Sequence, residues 1–179
     1  RTVLENYLAR SATVASLLHL TLDDDLRMMQ NTGVKFAGRV IWMWGGESKI
    51  DFLIDKGTPF VKQIHQMDPD IILQGAIFEI ITTDVNDVPI PASVFEEFGL
   101  TPENRNFNYK KMIYPFGHRV NHRYKDASVP DMSRTETKVW LFDGAKRWID
   151  MGIEAIHFGQ VEIMDVRERK RVHWRDVIA

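Results

Sequence analysis

At 179 residues the chain is long enough for one ordinary domain with a buried core, and its 44% hydrophobic and 27% charged residues are those of a globular protein. A net charge of −2 gives no global attraction to nucleic acid or anionic lipid, and no apolar run approaches the roughly 20 residues of a bilayer span. Without cysteine there are no disulfides, thiolate metal sites or cysteine nucleophiles, and no targeting segment in residues 1–18 assigns a compartment.

Val3, Leu4, Tyr7, Leu8, Val14, Leu17 and Leu18 follow a helical stripe, predicting one helix or two short ones over 3–18. Thr21 ahead of Asp23, Asp24 and Asp25 supplies an N-cap and an acidic first turn for a second helix, which Gly33 ends. Residues 35–44, rich in Val, Ile, Phe and Trp and broken by Gly45-Gly46, read as a first strand with Arg39, Ile41 and Met43 on one face. A helix follows over 50–67, with a break at Gly57 and a restart at Pro59, and Asp68-Pro69 turns the chain into a second strand over 71–81.

Residues 82–131 hold five of the seven prolines and only short periodic pieces, with 92–98 before Gly99 as the best helix candidate. A connection of that length in a compact domain is usually functional or partly disordered. Ser133 and Glu136 have the spacing of a capping box for a helix buried along Val139, Trp140, Phe142, Ala145, Trp148 and Ile149. Gly152 closes that helix, 153–163 form a third strand, and 165–179 read as a terminal helix. The basic stretches 118–125 and 167–175 read as a solvated loop and an outer helix face, so no nucleic-acid partner is expected.

Near-continuous apolar strands separated by helices indicate a parallel sheet covered by crossover helices, hence an α/β fold. An open doubly wound sheet and a (β/α)8 barrel both satisfy this. Gly45-Gly46-Glu47 lacks the GxGxxG spacing of the former, which favours the barrel. A closed barrel needs eight strands and about 250 residues. The expectation is therefore a partial barrel of about three parallel strands with a long loop after the second. Residues 1–179 would form a single α/β domain, the N-terminal portion of a larger barrel, that associates with the remaining segment or with itself through its open edge.

Ligands of α/β proteins bind beyond the carboxyl ends of the strands, which directs attention to Glu47, Glu79, Gln160 and Glu162. Alternation puts Ile156, Phe158, Gln160 and Glu162 on one face of the third strand, and an acid closing an apolar strand needs a partner or a task. Glu162 and Glu79 are the candidate catalytic carboxylates; the structural alternatives are a helix cap for Glu162 and a salt bridge to Arg39 for Glu79. Gln160 offers a hydrogen bond to a substrate hydroxyl or to Glu162. Trp44, with Trp42 and Glu47 beside it, offers a ring platform or ordinary packing. Arg105, Asn106, His118, Arg119 and His122 concentrate planar donors and acceptors in the long loop. His118 and His122 are four apart but lack an HExxH pattern, so neither a metal nor another cofactor is expected, and His157 reads as a core histidine.

The succession WMWGGE, GAIFEI and GIEAIHFGQVEIMD, the last behind the helix KVWLFDGAKRWIDM, resembles the first part of a glycoside-hydrolase-like (β/α)8 barrel over residues 21–179. Where such enzymes often end a strand in Asn-Glu, this chain has Gln160-Val161-Glu162. The resemblance implies a carbohydrate ligand and hydrolysis of glycosidic bonds by strand-end carboxylates. Two alternatives stay open: a barrel that binds carbohydrate or another small molecule without catalysis, and a metal-dependent lyase or isomerase using Glu79, Glu162 and His157.

Overall fold

The computed structural model describes residues 1–14, 22–166, 168 and 170–178. Its elements are α1 (Thr2–Leu8), β1 (Ser11–Thr13), α2 (Leu22–Thr32), β2 (Phe36–Met43), α3 (Ile50–Met67), β3 (Ile72–Ile77), β4 (Ile81–Thr82), α4 (Ala92–Glu97), α5 (Tyr109–Met112), β5 (Ala127–Ser128), α6 (Thr135–Met151), β6 (Ala155–His157), α7 (Val161–Met164) and α8 (Arg175–Ile178). The fold is α/β. Four parallel strands lie in the order β1-β2-β3-β6 with helices in their connections, a partial barrel-like arrangement, and β4 and β5 pair antiparallel in a sheet of their own.

Contacts divide the chain into two units. The first comprises Arg1–Trp42, Asp51–Ala76 and Arg147–His157; the second comprises Met43–Ile50, Ile77–Lys146 and Phe158–Ala179. The chain enters the second unit at the last residues of β2 and β3 and directly after β6. The segments beyond these three strands therefore share a unit with the long loop.

In the first unit the sheet register sorts side chains cleanly. Ser11, Ala12 and Thr13 pair with Phe36, Ala37 and Gly38, and Gln74, Gly75 and Ala76 pair with Ala155, Ile156 and His157. Gly75 faces α6: a β-carbon there would stand 3.0 Å from the Trp148 ring and 3.4 Å from Ile153. Gly57 on α3 packs equally close, where an added β-carbon would stand 2.9 Å from Ile41 Cδ1 and that side chain would have to shift. Val40, Ile41, Val61, Ile64, Leu73, Trp148 and Ile153 fill this core. The opposite sheet face presents Ser11, Thr13, Gly38, Gln74 and His157 to a depression of about 360 Å³. His157 is half-buried there.

Several boundaries differ from those read in the sequence. The first helix stops at Leu8 and buries none of its residues; Ser11–Thr13 instead join the sheet as a fourth strand, and Leu17, Leu18 and the expected cap Thr21 lie outside the described residues. α3 runs unbroken through Gly57 and Pro59 because its buried face is continuous there, and the Thr58 hydroxyl bonds back to the Ile54 carbonyl at 2.7 Å. Arg39 adopts φ 57°, in the left-handed region. The two-residue alternation of β2 fails at that point, and Arg39 is exposed while Ile41 and Met43 are buried.

The third predicted strand contracts most. β6 is three residues long; Gly159 turns the chain at φ 42°, and Gln160 precedes α7. Glu162 consequently lies exposed on α7 and shares no strand face with Ile156 or Phe158. The expected terminal helix is, among the described residues, a 3₁₀ turn at Val172–Trp174 followed by α8. Asp165 there accepts from His173 Nδ1 at 2.8 Å, and Arg171 Nη1 donates to the carbonyls of Asp165 and Glu168.

In the second unit, Phe95, Phe107, Met112, Tyr114, Val129, Met132 and Trp140 are buried, with Phe107 edge-on to Trp140 at 5.1 Å. α6 starts at Thr135 rather than at a Ser133 cap, because Ser133 donates to Asp131 and Glu136 is claimed by other partners. Ile149 is 56% exposed and is not part of the buried stripe of α6.

Candidate functional site

All the strand-end groups belong to the second unit, and the turns after β2 and β6 are marked by glycine. After β2, Gly45 and Gly46 adopt φ 77° and 69°. A side chain on Gly45 would stand 2.9 Å from the Tyr124 hydroxyl and 3.0 Å from Thr82 Cγ2, so this turn requires glycine for space as well as for backbone angle. The turn carries Glu47 inward until it is 1% exposed. One carboxyl oxygen accepts from the Thr82 backbone N–H at 3.0 Å and the other from the Thr82 hydroxyl. Burial pushes the Glu47 carboxyl above its ordinary value; the Thr82 hydrogen bonds oppose the shift and nearby Asp84 adds to it.

Beyond β3, Glu79 is 5% exposed. Its Oε1 pairs with the Arg123 guanidinium and its Oε2 accepts from the Gln160 backbone N–H at 3.0 Å. The partner expected within the sheet, Arg39, is not the one used. Gly159 closes over this carboxylate so tightly that an added β-carbon would lie on Glu79 Oε2 and 2.8 Å from the Glu79 backbone nitrogen. Glu79 thus clasps the β3 tip to the segment after β6 and to the long loop.

The exposed parts of these tips are aromatic. Trp44 is 42% and Tyr124 49% exposed, with ring centroids 6.1 Å apart and planes tilted by 57°. Tyr124 also borders a cleft of about 160 Å³ formed with Gly46, Thr82, Thr83, Asp84, Lys125 and Asp126. The phenol of Tyr124 therefore stands beside hydroxyl, carboxylate and ammonium groups, with the Trp44 indole next to it. Glu162 is exposed, and among the described residues its carboxylate has no ion pair.

The polar density of the long loop serves largely to fold it. Arg105 forks onto Glu136 at 2.7 and 3.0 Å, and Asn108 N–H adds a third donor to that carboxylate. The pairing with Glu136 raises the Arg105 pKa further. Asn106 donates to the Asn86 carbonyl at 2.8 Å. His118 is exposed with its ring edge-on to Tyr114 at 5.1 Å, while Arg119 and His122 stand 3.5 Å apart. Of the residues expected to bind substrate, Arg105 and Asn106 are engaged internally, Trp44, His118 and His122 are exposed, and Glu47 is a buried anchor. Among the described residues no three His, Asp or Glu side chains are gathered to hold a metal, and no helix is long and apolar enough to cross a membrane.

Thr82, Arg123, Tyr124 and Gly159 complete the site; the sequence pointed to Arg123 only as one of the polar residues of the long loop and did not single out the other three as site residues. Of those three only Gly159 carries a signal, since a glycine inside an apparent strand marks a bend or a close backbone approach. Comparison with protein-family models, with curated proteins and with solved structures finds no match.

Proposed function

We propose that the strand-end face of the second unit binds carbohydrate. The observation that carries this reading is the exposed Trp44–Tyr124 pair, of which Tyr124 borders a hydroxyl- and carboxylate-lined cleft: sugar rings offer a C–H face to aromatic surfaces and hydroxyls to polar groups. Trp44 and Tyr124 take the ring face in this reading, and Thr83, Asp84 and Asp126 take hydroxyls. Glu47 and Glu79 hold the turns that place them, since every carboxyl oxygen of the two has a donor within the protein. Calorimetric titration with a panel of neutral oligosaccharides tests it. At least one should bind saturably, and Trp44→Ala should weaken it at least tenfold, about 1.4 kcal/mol. An affinity unmoved by that substitution removes Trp44 from the site.

A second reading, hydrolysis of the bound glycan, is favoured by Glu162, an exposed carboxylate two residues beyond the Gln160 whose N–H holds Glu79. In that reading Glu162 acts as general acid/base and Glu79 as its partner. Product analysis after long incubation separates the two. Turnover that disappears in Glu162→Gln while binding persists supports hydrolysis; binding without product leaves the protein a carbohydrate-binding module.

A further inference from the structure

The second unit holds a larger concavity of different character. A cleft of about 670 Å³ opens between α4, α5 and the start of α6, a volume typical of small-molecule sites. Four cationic and two acidic side chains line it. That local excess of positive charge stands against a chain whose net charge is −2.

Arg105 contributes little of that excess. Its fork is taken by Glu136, its Nε donates to Glu103 at 2.6 Å, and its guanidinium lies 5.2 Å from the centre of the Phe95 ring, so these two acids more than offset its charge. The unmatched charge belongs to Lys110 and Lys111, with Arg134 held only in a long ion pair beside them. Among the described residues neither lysine ammonium has an ion pair. Arg134 stands 3.8 Å from Asp131, beyond hydrogen-bond reach.

The lysines also sit on a fixed backbone. α5 is a single turn, capped by the Asn108 side chain on Lys110 N–H at 3.0 Å, and tied by Asn108 N–H to Glu136 and by Tyr109 N–H to Asn86, each at 2.9 Å. Neighbouring residues of this turn thus face one cavity, where their like charges repel and an anion would relieve the repulsion. Leu100, 39% exposed, supplies an apolar surface on the same cleft.

We propose that this cleft is a second binding site, which takes a small organic anion with its carboxylate or phosphate on Lys110, Lys111 and Arg134 and its apolar face on Leu100. It shares no lining residue with the cleft beside Tyr124. The test is calorimetric titration of the whole chain at low ionic strength with phenyl phosphate, glucuronate and glucose. At least one anion should bind saturably, with at least tenfold loss in the Lys110→Ala/Lys111→Ala variant and a further loss in about 1 M salt, where screening is nearly complete. Preference for phenyl phosphate identifies phosphate as the bound group, and preference for glucuronate identifies carboxylate. Should the double variant melt early, Arg134→Ala carries the same expectation. Glucose binding as tightly as both anions, an affinity unchanged in the variants, or no binding of either anion at millimolar concentration overturns the proposal.

Discussion

Replacing Gly159 by alanine probes the clasp that organises the strand-end face. The substitution adds one carbon in a place with no room for it. The backbone there has φ 42°, in a region that costs an L-residue about 1–2 kcal/mol. The new β-carbon falls on Glu79 Oε2 and 2.8 Å from the Glu79 nitrogen, so no rotamer change relieves both contacts and the backbone must move. That movement stretches the Gln160 N–H bond to the carboxylate, and hydrogen bonds to charged groups contribute about 1.5–3 kcal/mol. The Arg123 pair is strained as well, but its 23% exposed side chain can follow and the surrounding water limits the loss. One displacement answers for all these terms, so they do not add fully, and a total near 3 kcal/mol is expected. Urea unfolding should show this as a lower midpoint at unchanged slope. In a Glu79→Ala background the same substitution should cost at least 1 kcal/mol less, because the contact with the carboxylate and the bonds it breaks have gone, while the backbone contact and the backbone angle remain. Strictly additive losses would refute the claim that Gly159 meets the Glu79 side chain.

Three further outcomes follow from individual contacts. The folded state holds the Glu47 proton above 4.5, so it binds more protons than the unfolded chain just above that pH; stability should fall as pH rises through the window, and Glu47→Gln should flatten this part of the urea-midpoint profile. Arg105→Ala strands the buried Glu136 carboxylate, and with Arg105 itself 27% exposed we expect a loss of about 2 kcal/mol in the same assay. Gly75→Ala presses a methyl group against the fully buried Trp148 and should cost about 1–3 kcal/mol; a neutral effect would mean that α6 does not pack on β3 as described.

What was legible in the sequence was periodic. The apolar runs of β2 and β3 and the stripes of α2, α3 and α6 are long enough for hydrophobic spacing to identify them, and helices between strands imply the parallel order observed. The short elements were not legible. Ser11-Ala12-Thr13 has no strand signature of its own and is strand only because Phe36-Ala37-Gly38 offers it an edge. Beyond His157 the alternation of FGQVEI continues on paper, yet Gly159 must bend to admit Glu79, which carries Glu162 onto α7. The strand-end position of Glu47 and Glu79 was readable from composition. Their partners were not, since Thr82 and Arg123 lie 35 and 44 residues away and reach them through the fold of the long loop. Ser133 and Glu136 show the same limit: the spacing of a cap was present, but a distant arginine claims the carboxylate.

The claim that the strand-end face binds carbohydrate rests on Trp44, and the indole N–H resonances of the protein report on it directly. In a titration with the oligosaccharide that binds in calorimetry, the Trp44 signal should shift saturably while those of the fully buried Trp140 and Trp148 stay in place. A saturable titration that leaves the Trp44 resonance unmoved would contradict the assignment of this face.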